Sequence, residues 1–148
     1  MNTDALLIAR FTHWELSLCA DVSPYLGRCV AWARRADADR FTDVTAEELE
    51  ELRTVVAVWY EALNNWLAAE GRDRPYRENL SILGNSVPHL HAHLIPRYER
   101  PVEAFGVTFT DPRPHHHYKP YERTLVPDEV IEKIRDALSE HVALVRDR

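Results

Sequence analysis

Asn85-Ser86-Val87-Pro88-His89-Leu90-His91-Ala92-His93-Leu94-Ile95-Pro96-Arg97-Tyr98 decides how this chain is read. Three histidines alternate with apolar residues, after a polar pair and a proline and before a proline and an arginine. Period-two alternation marks a strand with one buried and one chemically useful face. The spacing predicts His89, His91 and His93 on one side and Leu90, Ala92 and Leu94 on the other. On a strand such neighbours lie ~6.8 Å apart and the outer two ~13 Å apart, too far for one metal ion to take all three easily. A row of imidazoles along a groove suits a long anion such as a polyphosphate. Imidazole titrates near neutrality, so it can act there as nucleophile or proton donor.

Just upstream, Asn79 to Leu83 reads as a strand and Gly84 to Ser86 as the bend leading into the histidines. Further back, Thr45-Ala46-Glu47-Glu48 has the pattern of a capping box. Leu49, Leu52, Val56, Trp59, Leu63, Trp66 and Leu67 follow at helical spacing until Gly71. A helix of about 26 residues would run ~39 Å, enough to cross a domain. Before it, Trp14 to Cys19 and Arg28 to Ala33 read as a hairpin around a turn containing Pro24 and Gly27. Residues 4–11 read as a short helix or an extended lead-in, and Arg34 to Asp43 as irregular.

After the histidine strand, Tyr98 to Pro127 is proline-rich and without periodicity, so 99–127 is expected to be extended loop. Pro127-Asp128-Glu129 then opens a final helix over 128–147, with acids at its positive end and Val130, Ile131, Ile134, Leu138 and Val142 on one face. The whole, 1–148, reads as one α+β domain with a mainly antiparallel sheet.

A chain of 148 residues can bury one full core. The formal charge of −6, with lysines and arginines dispersed, argues against a nucleic-acid partner, which requires a basic face. The two cysteines, Cys19 and Cys29, lack C-x-x-C spacing and give neither a disulfide scaffold nor a thiolate zinc site. No run is apolar for the length of a membrane span and no leader pattern opens the chain, so the expected compartment is the cytoplasm.

The run His89-Leu90-His91-Ala92-His93-Leu94-Ile95 resembles the histidine triad motif, and Gly84-Asn85-Ser86-Val87 resembles the turn that precedes it in that superfamily. Asn79 matches the upstream asparagine and Pro96-Arg97 a common continuation. The resemblance covers roughly Trp14 to Tyr98. It implies a histidine-triad-like fold: a mainly antiparallel five-stranded sheet, one long helix, a C-terminal helix, and a homodimer in which two sheets join. It implies a nucleotide hydrolase or nucleotidyltransferase acting at the α-phosphate of dinucleoside polyphosphates, of the diadenosine tetraphosphate type, or of nucleoside phosphoramidates. The middle histidine, here His91, would form a covalent nucleotidyl intermediate that water then cleaves.

By the same resemblance His93 and His89 contact phosphate oxygens, while Asn79, Asn85 and Ser86 offer neutral donors. Asp21 lies near the position that faces the ribose. Arg28 stands where the family often has a histidine, and is read as a phosphate or leaving-group contact. No cofactor is required, although Mg²⁺ can accompany a polyphosphate. Two other readings stay open. One is a metal-dependent hydrolase using two triad histidines with a third ligand from His115, His116 or His117. The other is a non-catalytic nucleotide-binding protein. The second histidine cluster reads as a polar loop ahead of a lid, Trp14 and Trp32 as packing residues ahead of base-stacking ones, and Arg97 as an ion-pairing or interface residue.

Overall fold

The computed structural model describes residues 6–148. Its core is a five-stranded antiparallel sheet of strands β1 (Leu7–Arg10), β2 (Trp14–Leu18), β3 (Cys29–Ala33), β4 (Arg77–Ser81) and β5 (His91–Arg97), in the order β1-β2-β3-β5-β4. Helix α1 (Ala46–Ala69) and the C-terminal helix α2 (Asp128–Arg146) cover one face. The expected α+β architecture is therefore present, sheet and both helices included. No described helix is long and apolar enough to cross a membrane.

Alternation decides which way each strand turns. Leu16 faces Ala31 across β2 and β3, and Ala31 faces Ala92 across β3 and β5, all three fully buried. Trp14, Leu18, Cys29 and Leu94 complete this layer beneath α1. The intervening residues Val30, Trp32, His91 and His93 pair in the opposite layer, Trp32 against His91 and Val30 against His93. Hydrophobic burial thus turns the imidazoles outward.

Helix α1 starts where the sequence places it. The Thr45 hydroxyl accepts from the Glu48 amide at 3.1 Å and the Glu48 carboxylate accepts from the Thr45 amide at 2.9 Å. Such caps contribute about 1 kcal/mol. Val55, Trp59, Leu63 and Trp66 are buried, but Leu49, expected in the core, is 46% exposed. It sits one turn ahead of the stripe that meets the sheet.

Three boundaries differ from expectation. Strand β4 begins at Arg77 and ends at Ser81, two residues earlier than the Asn79 to Leu83 expected. The lead-in is β1, whose pairing with β2 includes a register shift between Leu7 and Ala9; residues 4 and 5 lie outside the described residues. The segment after the histidine strand is not all loop, because β6 (Val102–Ala104) and β7 (Val107–Phe109) form a hairpin. Phe105 (φ 53°) and Gly106 (φ 81°) make its two-residue turn, and positive φ at both central positions is the mirror-image geometry that matches strand twist.

Gly27 closes the β2–β3 turn against α1 at φ 90°, where a side chain is strained, and its carbonyl accepts from the Trp59 indole at 2.9 Å. A Cβ there would lie 2.7 Å from Leu63 Cδ1. Gly27→Ala should therefore destabilise the fold by ~1–3 kcal/mol through strain and overpacking, read as a lowered urea midpoint. An unchanged midpoint would show that the turn relaxes freely.

Candidate active site

The two histidines of β5 sit side by side on the outer face, ring centroids 5.1 Å apart in an edge-to-face arrangement. His91 is 6% exposed, and His93 is half-buried. The strand begins only at His91. His89, read as the first residue of the row, lies in the bend before it, because the Leu90 amide and carbonyl are drawn to Ala38 and Ala33.

Hydrogen bonds assign a tautomer to each ring. His91 Nδ1 is 2.6 Å from the His89 carbonyl oxygen, which only accepts, so Nδ1 carries a proton and the lone pair of the neutral ring is on Nε2. His89 Nε2 is 2.6 Å from the Ala33 carbonyl, so that ring donates to the end of β3 instead of presenting its N–H outward. His93 Nδ1 is 3.4 Å from an Arg28 guanidinium nitrogen, which only donates, leaving the His93 proton on Nε2. Burial, then the charge of Arg28 and the neighbouring His91 and Lys119, lower the His93 pKa from 6.5 to about 4. At neutral pH His93 is an uncharged N–H donor.

Arg28 is 3% exposed although no carboxylate among the described residues pairs with it directly. Its guanidinium lies over the rings of Tyr118 (5.5 Å) and Tyr121 (5.6 Å) and donates to the Tyr121 hydroxyl at 2.6 Å. Tyr121 in turn donates to Asp21 Oδ2 at 2.6 Å, and Arg123 pairs with the same oxygen at 3.2 Å. Arg28 and Asp21, read separately from the sequence, are thus joined through a phenol that the sequence reading missed. Nothing local marks Tyr121, which is 93 residues from Arg28.

The remaining sequence candidates divide. Asn85 lines a cavity of about 400 Å³ with His89, His91 and Pro88, whereas Ser86 is exposed in the same bend. Asn79 lies on the histidine side of β4 but its carbonyl oxygen accepts from Arg97 at 3.0 Å. Ser81, not singled out before, is the β4 residue opposite His93.

Arg97 is an ion-pairing residue, as read. It grips Asp111 at 2.8 and 3.1 Å, both side chains nearly sealed, and donates to the His116 and Arg113 carbonyls. This pins the 111–121 segment across the outer face of the sheet, where Tyr25, Ile95 and Tyr118 form a small second core. His115, His116 and His117 are exposed on that segment, His115 against the Tyr76 ring and His117 against Tyr118. Among the described residues no three His, Cys, Asp or Glu side chains are grouped to hold a metal ion.

A second cavity, about 480 Å³ and mostly apolar, opens on the other side of the row between Leu7, Ser17, Leu18, Val30, Trp32 and His93. A histidine pair with one free ring nitrogen, an uncharged donor and a buried cation therefore lies between an apolar cavity and a polar bend.

Comparison with solved structures places this arrangement among known folds. A histidine triad protein of Sinorhizobium meliloti 1021 superposes with a TM-score of 0.68 at 19% identity, covering 92% of this chain and 88% of that one. A hypothetical histidine triad nucleotide-binding protein of Sulfolobus tokodaii strain 7 gives 0.68 at 16% identity over 95% and 85%. A zinc-bound histidine triad family protein of Mycobacterium smegmatis gives 0.60 at 15% over 96% and 86%. A search of curated proteins finds no match. The HIT domain model matches residues 18–100, more than half of the chain and all of β3, α1, β4 and β5, and by that match the chain belongs to the HIT domain family.

Proposed function

We propose that this protein is a nucleotidyl hydrolase or transferase that cleaves at the α-phosphate of dinucleoside polyphosphates or nucleoside phosphoramidates, through an adduct on His91. The observation that carries the reading is the bond between His91 Nδ1 and the His89 carbonyl, which leaves the Nε2 lone pair available. The lone pair attacks the α-phosphorus, the bond to the bridging atom breaks, and its electron pair departs with the leaving group. Water then displaces the imidazole, and the N–P electrons return to Nε2. Splitting one displacement into two lowers each barrier.

The other residues follow from placement. His93 Nε2–H donates to a phosphate oxygen, and Arg28 balances the charge that accumulates in the transition state. Asn85 and Ser86 serve as neutral donors from the bend, and Asn79 acts through Arg97. The nucleoside occupies the apolar cavity beside Val30 and Trp32. Asp21 Oδ1 is the carboxylate oxygen left for a ribose hydroxyl. The nucleophile is formed by tautomer control, and Mg²⁺ would serve only to neutralise a polyphosphate.

The zinc reported in the Mycobacterium smegmatis relative favours a second reading, a metal-dependent hydrolase using triad histidines. One experiment separates the two. With diadenosine tetraphosphate or adenosine 5′-phosphoramidate, wild-type protein should turn over undiminished in chelator, and base-quenched samples should carry a nucleotide mass on the His91 peptide. His91→Ala should lose at least ~10³-fold in turnover, the scale of removing a nucleophile, while still binding nucleotide. Activity abolished by chelator and restored by zinc would instead support the metal reading.

The neutral His93 has a consequence for stability. Its folded pKa lies below its unfolded value, so the unfolded chain takes up the proton first as pH falls from 6.5. Stability from this source is complete above pH 6.5, is lost towards pH 4 and levels off below. His93→Asn should flatten that part of a plot of urea midpoint against pH; parallel curves would remove the argument.

We also propose a homodimer joined through β4. The outer edge of β4 has no strand partner among the described residues, and Leu80 on it is 50% exposed. Beside it, Leu49, Leu52, Val56 and Tyr60 of α1 line a mostly apolar groove of about 1120 Å³. Unpaired edges and apolar patches of this kind favour association. Light scattering should give twice the chain mass for wild type and a monomer for Leu80→Glu, and a monomeric wild type would end the proposal.

A further inference from the structure

Trp32 enters the reading above only as a wall of the apolar cavity. Its indole lies nearly parallel to the His91 ring, centroids 4.5 Å apart at 27°, and extends towards His89 at 6.4 Å and 30°. The stack is set by the sheet, because Trp32 and His91 are paired across β3 and β5 and both point to the outer face. It is fastened at a second point, since His89 donates to the carbonyl of Ala33, the residue after Trp32.

The charge on His91 changes during the proposed reaction. In its nucleophilic form the ring is neutral, and the bond to the His89 carbonyl then puts the proton on Nδ1 and the lone pair on Nε2. When that lone pair forms the N–P bond, the leaving group takes the electrons of the broken bond, and nothing removes the Nδ1 proton. A backbone carbonyl accepts a hydrogen bond but not a proton, so the ring in the adduct is an imidazolium carrying one positive charge. When water displaces the ring, the N–P electrons return to Nε2 and the charge vanishes.

We infer that Trp32 is a positioning residue for the nucleophile, its π face stabilising the positive ring of the nucleotidyl-His91 adduct and of the transition state that leads to it. The inference rests on the His91 reading above. Tryptophan has the strongest attraction for a cation of the aromatic side chains, and 4.5 Å is inside the ~6 Å range of the effect. A neutral imidazole gains far less from the same face. The interaction therefore strengthens as the reaction proceeds, the condition for it to raise turnover and not merely affinity. It also holds the ring edge-on to the entering phosphorus, while the His89 carbonyl prevents rotation.

The test is a rapid-quench measurement of adduct formation on His91, with diadenosine tetraphosphate as probe. It compares wild type, Trp32→Phe, Trp32→Leu and chains with mono-, di- and trifluorotryptophan inserted at position 32 alone. Fluorination drains the π face at nearly constant shape, so these chains report on charge even if Trp32→Leu fails to fold. Adduct formation should slow stepwise with each fluorine and by about tenfold in Trp32→Leu. Trp32→Phe should recover part of the rate, and the Kd for a non-hydrolysable analogue, to which the Trp32 wall of the apolar cavity contributes, should change less than the rate of adduct formation. Rates indifferent to fluorination, or a loss confined to Kd, would overturn the inference and make Trp32 a packing or base-stacking residue. If wild type forms no adduct with the probe, the His91 reading fails and this inference with it; an adduct with flat fluorine dependence sinks the inference alone.

Discussion

The antiparallel register between β3 and β5 is the constraint from which the rest follows. It aligns Ala31 with Ala92 beneath the helices and, one residue away, Trp32 with His91 and Val30 with His93 above them. A one-residue slip would exchange the two faces, putting imidazoles into the core and alanine and leucine into solvent. Burial energy in the lower layer therefore fixes the positions of groups in the upper layer that contribute little to stability themselves. The chemistry is held in place by the packing opposite it.

Backbone carbonyls then set the state of the histidines. His89 and Ala33 offer oxygens that only accept, and Arg28 offers nitrogens that only donate, so each ring has one allowed tautomer. Among the described residues no carboxylate is hydrogen-bonded to these rings. The site is instead biased towards positive charge by Arg28, whose guanidinium is stabilised by two tyrosine faces and a phenol oxygen. That arrangement leaves its charge available to an anion, which a direct carboxylate partner would not.

What was legible in the sequence was local. Alternation from Trp14 to Leu18 and from His91 onward, the Thr45–Glu48 box and the stripe of α1 all signal through residues a few positions apart, and each appears close to where it was read. The β6–β7 hairpin was hidden because its strands are three residues each and its turn is Phe105-Gly106 instead of an asparagine-glycine pair. The turn of His89 towards Ala33 and the bridge from Arg28 through Tyr121 to Asp21 join residues 56 to 100 apart, and no local pattern encodes them. Trp32 was read as a packing residue, because its stack on His91 depends on which residue lies across the sheet.

The ion pair between Arg97 and Asp111 bears on how this chain can change. With both side chains nearly sealed, loss of either leaves a lone charge without water, at about 3–5 kcal/mol, whereas an apolar pair of similar volume could be neutral. Viable variants at one position thus depend on what occupies the other, and single steps cross a valley. The strap over the histidine face is in this sense locked historically as well as physically: its anchor can be exchanged only as a couple.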